Sequence, residues 1–540
     1  MESEKTVSKQ ISEIEQFIIE FSKRIENFGF SGQIVLRKGG EVIYSTAQGK
    51  QRFGENPIDM NEQSALSIGS ISKQFTAALI LKERDRGKLS LTDSISEFID
   101  VLEDKTKITI HHLLCHSSGI QDLVDDFDYI PSDEFLNGVL AKPLKFEPGS
   151  EFSYSNTGFS LLAIILEKIN NTSYQKQLLG ALAENGIKSV GWFGDQRWNE
   201  KNSVNYYIDG EWTGSISTWV GSHDKPYWGI LGNGGVCMSA IDLSKWMDVL
   251  FSGRFISKDS LKHMTTPHME DYGYGWDILV TDLGKMITHD GGSTLGVNAD
   301  AMYFPDLELS IVILSNVVIG GMGMAFQLRD ALRTIFETKN FVLPPEVTSP
   351  PLPAKETIER EGLQLTPVND GYILTIEGQK ALNMVFAPDL ETSRDFDRMN
   401  ERVSLLGEYL VDKNWEDFFK NYSTREVTEE RLIFYKELLA DFEKEIGTIT
   451  SAQSAGSLPF PNYHAMTLLS LRGERERGGI PIIWKDATTI LGIRPMNTNY
   501  PFSCFATRIA ERTFVAFSLM YLRGFELKII DDSFAIATLL

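Results

Sequence analysis

Apolar residues at Ile11, Ile14, Phe17, Ile18, Phe21 and Ile25 recur every three or four positions, which predicts an amphipathic helix over 8–27. The pattern then shortens. "SGQIVLRKGGEVIYSTAQGK" (31–50) reads as two strands joined by a Lys-Gly-Gly turn. From Ser70 to about Ile169 the texture is mainly helical, with Pro and Gly punctuating "FEPGSEFSYSNTG". Between Val280 and Asn316 strands return, and "PDLE" has turn character between two apolar runs. Five of the 19 prolines fall between Pro344 and Pro353, and such a run reads as a semi-rigid linker. After it, 358–390 looks like short strands, 398–446 like helices and 464–540 like strands again. The expectation is an α+β chain with a domain over 1–339, a linker over 340–357 and a smaller α+β domain over 358–540. No internal repeat is visible.

Bulk properties narrow the classes. A chain of 540 residues exceeds what one hydrophobic core usually organises. Its 42% hydrophobic and 23% charged content is that of an ordinary globular protein. The net charge of −22 argues against nucleic acid or an anionic membrane as partner, since both repel an acidic surface. Cys115, Cys237 and Cys504 are odd in number and far apart, so neither a disulfide framework nor a paired CxxC zinc motif can be built. There is no apolar run of about 18 residues and no basic n-region followed by an apolar h-region. The compartment expected is cytoplasmic for the chain as written, or periplasmic or secreted if a leader has been removed. A homo-oligomer stays open.

Three short stretches carry candidate chemistry. In "SIGSISKQFTAAL", Ser70 and Lys73 stand three apart at a helix start, so the amine can reach the hydroxyl. A serine hydroxyl is a weak nucleophile without such a partner base, and exposed N–H groups at a helix start favour an oxyanion. Ser67 and Ser72 are rivals, but neither has a lysine three residues on. In "FEPGSEFSYSNTGFSLL", Tyr154 and Asn156 can point together into a cleft; alone, the stretch reads as a turn with Asn156 as cap and Tyr154 as packing. "HDGGSTLG" offers His289 and the glycines Gly291 and Gly292, whose bare backbone can approach a substrate; alone, it reads as a glycine-rich turn.

Together, S-x-x-K, Y-x-N and a late [K/H]-x-G resemble the motif order of the penicillin-recognising serine hydrolases, in particular the class C β-lactamase-like branch with its carboxylesterases, D-aminopeptidases and penicillin-binding proteins. "LSLTDSISEFI", "ITIHHLLCHSSGI", "GNGGVCMSAIDLSKWM" and "YGYGWDI" are similar to further landmarks in the right order, over roughly 28–335. The resemblance implies a β-lactamase/penicillin-binding-protein-like transpeptidase fold, with an antiparallel sheet flanked by helices and a helical subdomain. It implies Ser70 as acyl-forming nucleophile, with Lys73 and Tyr154 sharing base duty and the ammonium keeping the phenol's pKa low. Asn156 would orient the substrate, the N–H groups of Ser70 and Gly292 would form the oxyanion hole, and His289 would take the place of the β-lactamase lysine. His289-Asp290-Gly291 departs from K-T-G there. Losing a permanent cation and gaining Asp290 weakens recognition of the carboxylate that β-lactams carry. The expected activity is hydrolysis of an ester or small amide through acyl-Ser70, with neither cofactor nor metal. The alternatives are a D-amino-acid peptidase, a penicillin-binding protein with weak β-lactamase activity, or an acyl-binding sensor without turnover.

Other stretches carry weaker signals. His112 and His116, four apart beside Cys115, invite a metal, but no H-E-x-x-H is present. No G-x-S-x-G elbow occurs. Trp192, Trp198, Trp212, Trp219 and Trp228, with Tyr206, Tyr207 and Tyr227, are read evenly as core packing or as a wall of the cleft. The C-terminal region faintly resembles cone-shaped α+β modules of the nuclear-transport-factor-like kind.

Overall fold

The computed structural model describes residues 2–122, 132–195, 198, 203–218, 228–339, 341–348, 350–354, 356–360, 363–376, 394–422, 436, 440, 443–444, 447–460, 463–475, 477–484, 490–493, 503–519, 523–530 and 533–539. Trp219, Tyr227, the side chain of Cys504, strand positions expected over 377–390 and most of the helix expected over 428–446 lie outside these residues. Contacts divide the chain into two compact units. One comprises 1–22, 30–317 and 323–329, and the other 23–29, 318–322 and 330–540. The segments 23–29, 318–322 and 330–339, expected in the first domain, thus cluster with the C-terminal residues.

The first unit is built on a six-stranded antiparallel sheet. The expected helix spans Glu2–Arg24 (α1), and the expected hairpin is Gly32–Lys38 (β1) with Glu41–Gln48 (β2). Asp277–Thr281 (β3), Gly284–Gly292 (β4), Asn298–Phe304 (β5) and Leu309–Ser315 (β6) complete it, in the order β3-β4-β5-β6-β1-β2. "PDLE" is a single 3-10 turn at Pro305–Leu307, with Glu308 in the left-handed region. β6 is buried along its whole length, so its run "LSIVILS" is continuous rather than alternating.

Helix Lys73–Asp85 (α2) lies at the heart of the unit, with Phe75, Ala77, Ala78, Ile80 and Leu81 fully enclosed. An all-round buried helix needs its polar residues satisfied. Gln74 Oε1 accepts from Trp246 Nε1 at 2.7 Å, and the Thr76 hydroxyl meets Tyr174 Oη and the Gly232 carbonyl, each at 2.6 Å. Helix Asn156–Asn170 (α3) packs beside it, and helix Ala240–Phe251 (α4) lies against the sheet. Trp246 of α4 stacks on Phe75, with ring centroids 4.7 Å apart.

In the second unit, strands 358–376 and 503–539 form a seven-stranded sheet, and strands 449–493 form a four-stranded one. Helix Arg394–Val411 buries Met399, Val403 and Leu406 against the four-stranded sheet's Leu469, Leu471 and Ile482. Among the described residues, the helical part of the helices-then-strands order packs on the four-stranded sheet. The proline-rich stretch is tied down where Leu352 N–H donates to the Arg508 carbonyl at 2.8 Å and where the Pro344 carbonyl accepts from Arg24 Nη1 at 3.2 Å.

Candidate active site

Ser70 sits in a 3-10 turn, Gly69–Ser72, that runs directly into α2. Neither start is capped by a side chain, so Ser70 is not spent as a helix cap. Lys73 opens the α-helix, where side chains lean back toward the N-terminus. Its Nζ donates to Ser70 Oγ at 3.0 Å, Asn156 Oδ1 at 2.7 Å and the Asn233 carbonyl at 3.1 Å. All three ammonium hydrogens are thereby satisfied inside the protein, where Lys73 is 0% exposed. Burial drives its pKa down to about 7, against the pull of Asp122 and then Asp290. The rival serines are committed elsewhere. Ser72 Oγ accepts the Val236 N–H at 3.1 Å, and the buried Ser67 accepts the Gly69 N–H at 3.4 Å.

Tyr154 and Asn156 come from the start of α3. The cap there is Ser155, whose Oγ accepts the Gly158 N–H at 3.1 Å. Asn156 is instead the first helical residue, which leaves its amide oxygen to Lys73. This corrects the reading of Asn156 as cap, and the reason is that Ser155 is itself a strong N-cap one residue earlier. Lys73 Nζ stands 4.7 Å from the Tyr154 ring centroid. Tyr154 as a whole keeps 37% of its surface exposed, but its hydroxyl end is enclosed. That burial pushes the phenol's pKa up, with Asp290, Asp277 and Asp122 adding to the rise and Ser70 opposing it. The direction is opposite to the one expected from a neighbouring ammonium, because desolvation outweighs the cation.

β4 brings in the third stretch. Gly291 runs so close to the nucleophile turn that a Cβ on it would stand 1.9 Å from the Ile68 carbonyl oxygen. Gly69 has φ +51°, and a Cβ there would meet the Gly291 backbone at 2.9 Å and Gly292 N at 3.0 Å. The Gly292 amide therefore lies beside the backbone just before Ser70. His289 is 3% exposed and both ring nitrogens are engaged. Nδ1 donates to the Asp290 carbonyl at 2.6 Å, and Nε2 accepts from Tyr272 Oη at 3.0 Å. Burial lowers its pKa to about 4, so the ring is neutral at physiological pH. Asp277 is pushed up to about 6, first by burial and then by Asp290.

Among the described residues, Asp277, His289 and Asp290 present ligand-type atoms within 4.8 Å of one another. His112 and His116 do not converge: His112 Nδ1 accepts the Thr109 N–H at 3.2 Å, and His116 Nδ1 accepts the Ser155 N–H at 3.0 Å. Of the aromatic-rich segment, Trp192, Tyr206, Tyr207 and Trp228 are buried, while Trp212 is 57% exposed. Tyr206 and Tyr207 use their hydroxyls to hold the Ser67 and Phe53 amides, at 2.7 and 3.0 Å, which is a packing role.

Two groups that touch the site have no role in the motif reading. The Asn233 carbonyl lies inside the "GNGG" landmark, but a backbone oxygen has no sequence signature. Asp122 carries no local signal at all, since it meets α3 only through the tertiary fold.

The fold and this cluster define an active-site serine hydrolase of the penicillin-recognising kind. The chain belongs to the Beta-lactamase family, whose model matches residues 21–332. It is 25% identical to the putative penicillin-binding protein PbpX of Bacillus subtilis over 323 residues, 58% of this chain and 78% of that protein. It is 26% identical to a D-aminopeptidase of Brucella anthropi over 321 residues, 56% of this chain and 58% of that protein. The structure of an octameric penicillin-binding protein homologue from Pyrococcus abyssi matches with a TM-score of 0.52 at 20% identity, over 98% of each chain. Among the described residues, no helix is long and apolar enough to cross a membrane.

Proposed function

We propose that Ser70 is acylated by an ester or small amide and then released by water, with Lys73 as the base. The observation that carries this is the 3.0 Å hydrogen bond from Lys73 Nζ to Ser70 Oγ, in a site where burial brings the lysine to about 7. A substantial fraction of Lys73 is then a neutral amine at physiological pH, able to accept the serine proton as Oγ bonds to the substrate carbonyl carbon. The Ser70 and Gly292 N–H groups take the oxyanion. When the tetrahedral intermediate collapses, the bond to the leaving alcohol or amine breaks. Tyr154, whose raised pKa keeps it a phenol, stands beside Ser70 to pass a proton to that leaving group, and Lys73 restores it. A water molecule repeats the sequence on the acyl carbonyl, and Ser70 regains its proton. Asn156 holds Lys73 and faces the acyl side, and His289 fixes the strand end through Tyr272.

The third motif supports the choice of substrate. A neutral His289 beside Asp290 and Asp277 offers a carboxylate no cation, so neutral esters and amides are favoured over β-lactams. The test is labelling with a fluorophosphonate and turnover of a p-nitrophenyl ester by the full chain, beside a D-alanyl amide panel and a chromogenic cephalosporin. The expected result is labelling and ester or amide turnover that vanish in Ser70→Ala, with the cephalosporin slowest. Equal labelling of Ser70→Ala would sink the assignment, and fastest turnover of the cephalosporin would sink the substrate order.

A further inference from the structure

We propose that the segment 116–122 holds the second motif in working geometry, with His116 bracketing Tyr154 and Asp122 seating Asn156 as positioning residues. This rests on the acyl-serine reading above. His116 grips the chain on both sides of Tyr154. The Ser153 N–H donates to the His116 carbonyl at 2.9 Å, and the Ser155 N–H donates to its ring Nδ1 at 3.0 Å. Between these two bonds the imidazole lies against the Tyr154 ring, with centroids 4.3 Å apart. His116 reaches this pose with φ 58° and only 1% exposure. A non-glycine residue in the left-handed region is uncommon, and such strain persists where surrounding structure imposes it. An Nδ1 that accepts leaves the proton of the neutral ring on Nε2, which has no hydrogen-bond partner among the described residues. Burial, with Lys73 and His289 nearby, holds the ring in that neutral form. Protonation would remove the acceptor on which Ser155 depends.

Asp122 completes the grip one residue further on. Its Oδ1 accepts the Ser155 hydroxyl at 2.7 Å and the Thr157 N–H at 3.0 Å, and its Oδ2 accepts the Asn156 N–H at 3.3 Å. A carboxylate at a helix N-terminus is favourable by itself. Ser155 already caps this helix, however, and Asp122 comes from a separate segment to satisfy the amides that Ser155 leaves free. With its backbone pinned, Asn156 presents Oδ1 to Lys73 at 2.7 Å. The Asp122 carboxylate is also the strongest of the charges that favour the protonated form of Lys73. A displacement of about 1 Å in such a constellation costs about 10²-fold in rate. That is reason for two buried or half-buried polar residues to be spent on one loop.

The experiment compares the full-length wild type with Asp122→Ala, Asp122→Asn and His116→Asn, by amide hydrogen exchange over 153–157 and by the pH profile of ester turnover. Asp122→Ala is expected to speed exchange there by about tenfold or more. It should lower kcat by about 10- to 100-fold with KM within about threefold, and move the acid limb of kcat/KM down by about half a pH unit. Asp122→Asn keeps the acceptor oxygens' positions but not the charge, so it should retain more exchange protection yet show the same downward limb shift. His116→Asn preserves an acceptor and tolerates the left-handed backbone, so it should fold, lose the ring contact and lower kcat without moving the limb. Wild-type exchange and wild-type kcat in His116→Asn, together with an unmoved limb in Asp122→Asn, would overturn the proposal, whether or not Asp122→Ala folds. Absence of Ser70 acylation in the wild type would defeat the acyl-serine reading instead, and the exchange measurements would still decide the clamp.

Discussion

Two helices begin at this site, and they begin in opposite ways. α2 starts through a 3-10 turn with no side-chain cap, which leaves the Ser70 hydroxyl to Lys73. α3 starts with Ser155 as cap and Asp122 as a second, distant acceptor for its first amides. The uncapped start supplies the reacting groups and the overcapped start supplies the frame. Stability and reactivity are thus assigned to different helix ends, a few ångströms apart, and Lys73 is the strut between them.

The sharpest way to break this division is to remove the strut. Lys73→Met should lower ester turnover by about 10³-fold, measured under saturating substrate, because it deletes the base. Placing a methyl on the third-motif strand comes next. Gly291→Ala drives a Cβ into the Ile68 carbonyl, and thermal unfolding should report a loss of about 2 kcal/mol or more, with turnover falling at least tenfold. Loss of the frame is milder. Ser155→Ala removes a cap worth about 1 kcal/mol, and a chemical denaturation curve should show that loss with unchanged slope. The least effect on chemistry is expected from Ser72→Ala, which strands the Val236 N–H. It should cost about 1–3 kcal/mol of stability while labelling at Ser70 persists; if labelling vanished, the choice between the serines would be wrong.

The comparison also has a pH signature. Lys73 has its folded pKa depressed from the usual lysine range to about 7, and the working form is the neutral amine. kcat/KM should therefore rise with pH through about 7, and the limb should be absent from a profile of labelling rate in Lys73→Met. An acid limb near 4, where His289 titrates, would assign control to the imidazole instead.

Much of this arrangement is legible in the sequence. The β1–β2 hairpin with its glycine turn and α1 follow from periodicity, and the Ser70–Lys73 contact follows from i, i+3 spacing on a helix. Each is local. What could not be read is whatever burial decides. The phenol of Tyr154 moves up rather than down because its hydroxyl is enclosed, and no neighbour in sequence announces enclosure. Asp122 and the Asn233 carbonyl are invisible for the same reason, since they reach the site across the fold. The second unit shows a different failure. Its strand content was plain, but which strands share a sheet depends on pairings such as Ile373 with Phe505, far apart in the chain.

The engagement of both His289 nitrogens bears on how such a site can change over generations. Lysine at this position would put a second ammonium into a pocket whose first is already sensed by the imidazole. It would also leave the Tyr272 hydroxyl without its acceptor. The mutual repulsion would depress Lys73 further and upset the base. A lineage acquiring β-lactam turnover from this starting point therefore faces a valley: the exchange at 289 is harmful until Tyr272 and the Asp277–Asp290 pair have been altered first.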